Sequence, residues 1–166
     1  MKNLIKIFFS ALIVGALIGV SVEAVSTNSA KKDAELKKKI GQMLIVGFRG
    51  TEIGSDSYIS RAMQDLNLGG VILFDKDSPS QGKITRNITS PAQTKQLISD
   101  LKKYSPSPIF VAVDAEGGYV NRLKDKYGFF KIPSAEKLGQ STLAETKEKG
   151  ELLGVELAGM GFNMDF

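Results

Sequence analysis

Ile109-Phe110-Val111-Ala112-Val113-Asp114-Ala115-Glu116-Gly117-Gly118 sets an apolar run directly against two carboxylates and two glycines. The run has the length and β-branched content of a strand buried on both faces, as parallel-sheet strands are. In an α/β barrel the carboxyl ends of such strands carry the binding and catalytic groups. On an extended segment Asp114 and Glu116 stand two residues apart and share a side. The glycines after them permit close approach of backbone to a ligand. Carboxylates so placed accept hydrogen bonds from adjacent hydroxyls, a geometry suited to a sugar ring. Arg122 either pairs with Asp114 or takes a ligand oxygen itself. The plainer alternative is a structural salt bridge at the base of a loop.

Working outward, the chain alternates strand-like and helix-like segments. Asp33 to Met43 has helical composition, with Ala34, Leu36, Ile40 and Met43 apolar. Leu44–Phe48 reads as a first strand, Ser57–Leu66 as a helix, and Gly69–Phe74 as a second buried strand. A long polar loop is expected from Asp75 to Ile88. Ser90-Pro91-Ala92-Gln93 is a helix start, with Ser as N-cap, Pro at the first helical position and Gln at the third. That helix should reach Tyr104, before Pro106 and Pro108. After the third strand a loop runs to Gln140. Thr142-Leu143-Ala144-Glu145 is a second capping box and opens a helix to Met160. Gly161 closes it, and Phe162–Phe166 begins a fourth strand. This alternation makes right-handed βαβ units and a parallel sheet, either doubly wound or the first half of an eight-stranded barrel. The first strand-to-helix turn lacks Gly-x-Gly-x-x-Gly, and no phosphate-binding Gly-x-x-x-x-Gly-Lys-Ser/Thr occurs.

Composition narrows the chemistry. The 166 residues contain no histidine and no cysteine. That excludes a Ser-His-Asp triad, a His-Glu-x-x-His zinc site and a thiol nucleophile from this polypeptide. No metal and no cofactor is expected. The net charge of +4 is spread along the sequence, without the basic patch of a nucleic-acid binder. Lys31-Lys32 and Lys37-Lys38-Lys39 read as the solvated face of the first helix.

At the N-terminus, Lys2 and Lys6 precede an apolar run from Ile7 to Val22, followed by Val22-Glu23-Ala24. This is the pattern of a secretory signal peptide, expected over residues 1–24 with export of the mature chain. The alternative is an uncleaved anchor, which would be the chain's one membrane contact. At about 1.5 Å per residue the run spans roughly 24 Å, short of a hydrocarbon core of ~30 Å. Residues 25–35 are expected to form a linker.

From about Leu36 onward the chain resembles the N-terminal part of the glycoside hydrolase family 3 catalytic domain, in its bacterial β-N-acetylhexosaminidase branch. The likeness rests on ordered segments: Ile40–Phe48, Gly69–Phe74, Arg86-Asn87-Ile88, Val111–Gly118 through Arg122-Leu123, Ile132-Pro133-Ser134-Ala135, and Glu156-Leu157-Ala158 through Phe162–Phe166. The resemblance implies a (β/α)8 barrel of which residues 36–166 form the N-terminal half, cut after the start of the fourth strand. It also implies retaining hydrolysis of terminal β-linked N-acetylglucosamine. Asp114 and Arg122 fall where the family contacts the terminal sugar, and Glu116, Gly117 and Gly118 match the same motif, so Asp114, Arg122 and Glu116 are the expected substrate-binding residues. Tyr119 departs from the pattern, which has Arg there, and Asp75–Thr85 forms a longer insertion than in many members. The family's Lys-His-Phe-Pro-Gly-His-Gly-like motif, its acid/base histidine and its nucleophilic aspartate have no counterpart in these residues. Ser55-Asp56-Ser57 resembles the nucleophile's neighbourhood but falls after the first strand and reads as a helix cap. Catalytic residues are therefore expected to be absent from the chain.

Three functions remain compatible with the sequence. One is an exported glycosidase represented in part, a second is a non-catalytic sugar-binding remnant, and the third is a membrane-anchored α/β scaffold without a sugar role. Asn87-Ile88-Thr89 also fits an N-glycosylation pattern, although the bacterial-type leader argues against its use.

Overall fold

The computed structural model describes residues 29–166, so the expected signal peptide and residues 25–28 of the expected linker lie outside the described residues. The chain divides into two units, Met1–Lys39 and Ile40–Phe166. A helix α1 occupies residues 29–41. It starts before Asp33, so residues 29–35 of the expected linker are helical. Ala30, Ala34 and the lysines are good helix formers. Glu35 and Lys39, one turn apart, form an ion pair at 2.8 Å. The Lys39 ammonium, hydrogen-bonded to Glu35, holds its carboxyl below the ordinary value. Leu36, Ile40 and Met43 are exposed and form no packed stripe.

The second unit is built on four parallel strands, β1 (Ile45–Gly47), β2 (Gly70–Leu73), β3 (Phe110–Val113) and, later in the chain, β6 (Met164–Asp165). Their spatial order is β1-β2-β3-β6. Strand order thus follows chain order with no reversal, which is the winding of a barrel's opening strands and not of a doubly wound sheet. The register pairs Ile45 with Gly70 and Phe110, and Gly47 with Ile72, Ala112 and Met164. With side chains alternating along each strand, Val71, Leu73, Val111 and Val113 project to one face. All four are fully buried there. Helices α2 (Tyr58–Leu66), α3 (Pro91–Tyr104) and α5 (Leu143–Met160) supply the apolar counterpart. Ile59, Met63, Leu97, Ile98, Leu101 and Met160 close this core. On the opposite face Ile45 and Phe110 stay exposed.

The capping signals at Ser90, Thr142 and Gly161 are realised, whereas that at Ser57 is not. Ser90 Oγ accepts from the Gln93 amide at 3.3 Å, as an N-cap should. The Gln93 side chain reaches back one residue further than expected, to the Thr89 amide at 3.0 Å. Its Nε2 also donates to Thr51 O at 2.6 Å and Asn87 O at 3.0 Å, fastening α3 to the loop after β1. Thr142 caps α5 through the Glu145 amide at 3.2 Å, and Gly161 ends that helix. Ser57 occupies the N-cap position of α2, yet its Oγ accepts from the Gly54 amide at 2.8 Å and bonds no helical N–H. The expected cap at Ser55-Asp56-Ser57 is therefore a turn stabiliser placed at a helix start. Ser90→Ala should destabilise the protein by about 1 kcal/mol in urea unfolding, and Ser90→Gly by only a few tenths.

The stretch between β3 and Gln140, expected as loop, holds more structure. An antiparallel hairpin of β4 (Ala115–Gly117) and β5 (Val120–Asn121) follows β3 directly, and a short helix α4 (Ala135–Gly139) lies before α5. Strands of two and three residues are too short to show a period, and a five-residue helix has no amphipathic stripe.

Candidate functional site

The four strands run parallel, so the carboxyl ends of β1, β2, β3 and β6 lie along one edge of the sheet. Asp114 is the residue after β3. The hairpin then folds the chain back, so that the Arg122 amide donates to Asp114 O at 2.9 Å. The Arg122 guanidinium reaches the same carboxylate through Nε at 3.1 Å and Nη2 at 3.0 Å, both to Oδ2. Two donors thus converge on one oxygen. Oδ1 has no hydrogen-bond partner among the described residues, and the Asp114 side chain keeps 16% of its surface exposed. The expected pair is formed, and it leaves an acceptor facing outward.

Glu116 lies on β4 between buried Ala115 and Gly117 and is exposed. It forms no ion pair or hydrogen bond among the described residues, so it is not joined to the Asp114–Arg122 pair. Tyr119, at the hairpin tip, is fully exposed.

Sequence reasoning missed the groups that hold this opening in shape. Asp75, the second residue after β2, is 1% exposed and pairs with Lys124 from the segment after β5. Asp77, 5% exposed, takes the Arg49 Nε at 2.9 Å and Nη2 at 3.3 Å. Buried carboxylates need such cations, since an uncompensated charge in the interior is costly. Asp165, at the end of β6, accepts from the Ala115 amide at 2.9 Å and so orients the step from β3 into the hairpin. The one signal available was position, because Asp75 follows β2 much as Asp114 follows β3. The residues Asp75–Thr85, expected as an inserted loop, fold into a short 3-10 turn at Ser78–Ser80 closed by a bridge between Lys76 and Thr85.

Phe74, after β2, is the platform between two cations. The Arg86 guanidinium carbon lies 4.7 Å from its ring centroid and that of Arg122 lies 5.4 Å away. Both distances are in the range of cation–π attraction. Asn87, fully buried, knits the ends of β1 and β2 together: its Oδ1 accepts from the Phe74 amide and its Nδ2 donates to Gly50 O and Phe48 O. That burial removes the Asn87-Ile88-Thr89 pattern from consideration as a modification site.

A cleft of about 520 Å³ flanks the hairpin, lined in part by Gly118, Lys124, Lys131 and Lys137, but neither Asp114 nor Arg122 lines it. Of its three lysines, Lys124 is paired with buried Asp75, and Lys131 makes a 3.8 Å contact with exposed Asp125. Among the described residues no group of His, Cys, Asp and Glu side chains is arranged to hold a metal ion, and no helix is long and apolar enough to cross a membrane.

Comparison with known proteins bears on this geometry. The family model described as the glycosyl hydrolase family 3 N terminal domain matches residues 35–166. A β-hexosaminidase of Thiobacillus denitrificans is 32% identical over 130 residues, covering 74% of this chain and 32% of the relative. Among solved structures, a glycoside hydrolase family 3 β-N-acetylglucosaminidase from Paenibacillus sp. superposes with a TM-score of 0.66 at 32% identity, over 79% of this chain and 23% of that one. NagZ from Neisseria gonorrhoeae, solved in complex with N-trifluoroacetyl-D-glucosamine, gives a TM-score of 0.60 at 27% identity, over 74% and 34%. The chain thus spans about a third of the length of the curated relatives it matches. Its parallel α/β sheet is that of their barrel domain, and the chain belongs to glycosyl hydrolase family 3 through its N-terminal domain.

Proposed function

We propose that this chain is the sugar-holding part of a glycoside hydrolase that acts, in the whole protein, on terminal β-linked N-acetylglucosamine with retention of configuration. The observation that carries this reading is the asymmetry of the Asp114 carboxylate. Arg122 saturates Oδ2, and Oδ1 is left as an ionised acceptor at the strand ends. An ionised carboxylate accepts only, so it selects a ligand that donates, and a sugar hydroxyl does so. The hexosaminidase relatives and the glucosamine derivative bound by the Neisseria structure support N-acetylglucosamine as that ligand. Glu116, exposed beside the same opening, is a further acceptor for the sugar or for what is attached to it.

Retaining hydrolysis needs a nucleophile on one side of the anomeric carbon and an acid/base near the leaving oxygen. Among the described residues the strand-end acids are otherwise engaged: Asp75 and Asp77 are buried in ion pairs and Asp165 is bonded to the Ala115 amide. The 166 residues also contain no histidine. This chain therefore holds the sugar, and cleavage falls to groups outside it. The lysines and apolar run before Ala24 further support export of the mature protein.

Titration of the full chain with N-acetylglucosamine, followed by amide chemical shifts, tests the reading. Binding is expected without release of p-nitrophenol from the β-N-acetylglucosaminide. Asp114→Asn keeps a carbonyl for Arg122 but turns the free acceptor into a donor. It should weaken binding roughly ten- to a hundred-fold, for a charge-assisted hydrogen bond of about 1.5–3 kcal/mol. Unchanged affinity in Asp114→Asn, or turnover by the wild-type chain, refutes it.

A further inference from the structure

We infer that Arg86 is a second fixed contact for the ligand, its Nη nitrogens donating to an oxygen of the sugar that Asp114 holds. The inference rests on the reading of Asp114 given above and adds a residue that the Asp114–Arg122 motif does not include. Arg86 is positioned from every side but one. Its amide donates to Asp75 O at 3.1 Å and its carbonyl accepts from the Gly50 amide at 3.1 Å. Its Nε donates to Phe48 O at 2.8 Å, and its guanidinium stacks on Phe74. The Nη nitrogens have no hydrogen-bond partner among the described residues, and no acidic side chain there pairs with Arg86. Asp75, Asp77 and Asp114, the nearby acids, are matched instead to Lys124, Arg49 and Arg122. A guanidinium is charged at all working pH and only donates. Held rigid with its outer donors uncommitted, it loses little freedom on taking an oxygen acceptor.

The path of Arg86 explains a glycine. Gly47 ends β1, and a Cβ built there would lie 2.6 Å from Arg86 Nη2. The missing side chain is the space over which Arg86 crosses the ends of β1 and β2. Phe74 then serves as a shared platform, with Arg86 and Arg122 both on its ring. The chemistry of the two sets is complementary. Asp114 accepts a hydrogen bond from a hydroxyl, whereas Arg86 donates hydrogen bonds to a hydroxyl or carbonyl oxygen. A sugar oxygen able both to donate and to accept is read by such a pair, while a group that only accepts gains nothing from Asp114.

Two variants of the full chain separate this role from a purely structural one. Arg86→Ala removes the donors, together with the Nε bond to Phe48 O. Gly47→Ala keeps every atom of Arg86 but displaces its guanidinium, working against the Nε bond to Phe48 O and the stack on Phe74. Both are expected to bind N-acetylglucosamine about tenfold more weakly than wild type. Gly47→Ala should do so with the fold retained, as amide chemical shifts away from the site report. Wild-type affinity in Gly47→Ala, with Asp114→Asn impaired, overturns the role of Arg86 and leaves that of Asp114 standing. Absence of N-acetylglucosamine binding by the wild-type chain overturns both.

Discussion

Asn87→Ala is expected to destabilise the protein by about 3–5 kcal/mol, measured as a shift of the urea midpoint at constant m-value. The side chain is fully buried, and three backbone groups depend on it. The Phe74 amide donates to Oδ1 at 3.1 Å, and Nδ2 donates to Gly50 O at 2.9 Å and Phe48 O at 3.3 Å. Phe48 O retains the Arg86 Nε bond after truncation. The Phe74 amide loses its partner, as does Gly50 O, and a buried orphan group costs about 1–3 kcal/mol. The void left by the amide adds to this. Asn87→Asp is expected to be at least as damaging. It keeps the acceptor for Phe74 but turns an oxygen toward the carbonyl oxygens of Gly50 and Phe48. Since Asn87 fastens the ends of β1 and β2, the variants should also loosen Phe74 and the arginines stacked on it.

Much of this fold was legible because its strands are continuous apolar runs bounded by glycine or charge. Val71-Ile72-Leu73 and Val111-Ala112-Val113 read as buried strands, and Ser90-Pro91 and Gly161 mark the limits of helices through local backbone chemistry. The Asp114–Arg122 pair was legible for a related reason. Eight residues and a Gly-Gly step suffice to return the chain to its strand end. What stayed hidden depends on distant partners. Lys124 finds Asp75 forty-nine residues away, and Arg86 finds Phe48 O thirty-eight away. Nothing local in either residue signals those contacts. The order of the strands was equally undetermined by alternation alone, which left a doubly wound sheet and a barrel open until the β1-β2-β3-β6 arrangement distinguished them. The helical composition of the first segment was legible as well, and the helix occupies residues 29–41.

Gly117→Ala should cost about 3–5 kcal/mol and also weaken the Asp114 site, two effects that share one cause. Gly117 has φ +75°, a conformation that an L side chain enters at about 1–2 kcal/mol. A Cβ there would also stand 2.3 Å from Pro133 O and 2.8 Å from Pro133 C. Those atoms are backbone of a segment that packs against the hairpin, so relief requires moving main chain rather than a rotamer. Overpacking of that kind costs about 1–3 kcal/mol, and so deep an overlap belongs at the upper end. The hairpin is the element that must move. It carries the Arg122 amide and guanidinium to Asp114, and β4 and β5 pair through Ala115 with Asn121 and Gly117 with Val120. Gly118→Ala is the informative contrast. Its φ of +63° brings a similar backbone penalty, but the overlap is shallower, with the Ser134 Cβ 2.8 Å from the added Cβ against 2.3 Å for Pro133 O at Gly117. A smaller loss, about 1–3 kcal/mol, is expected there, with N-acetylglucosamine affinity closer to wild type. Urea unfolding of both variants, read beside the N-acetylglucosamine titration, checks the ordering. Equal stability of the two, or a Gly117→Ala chain that binds like wild type, would show that the Pro133 contact does not set the position of the hairpin.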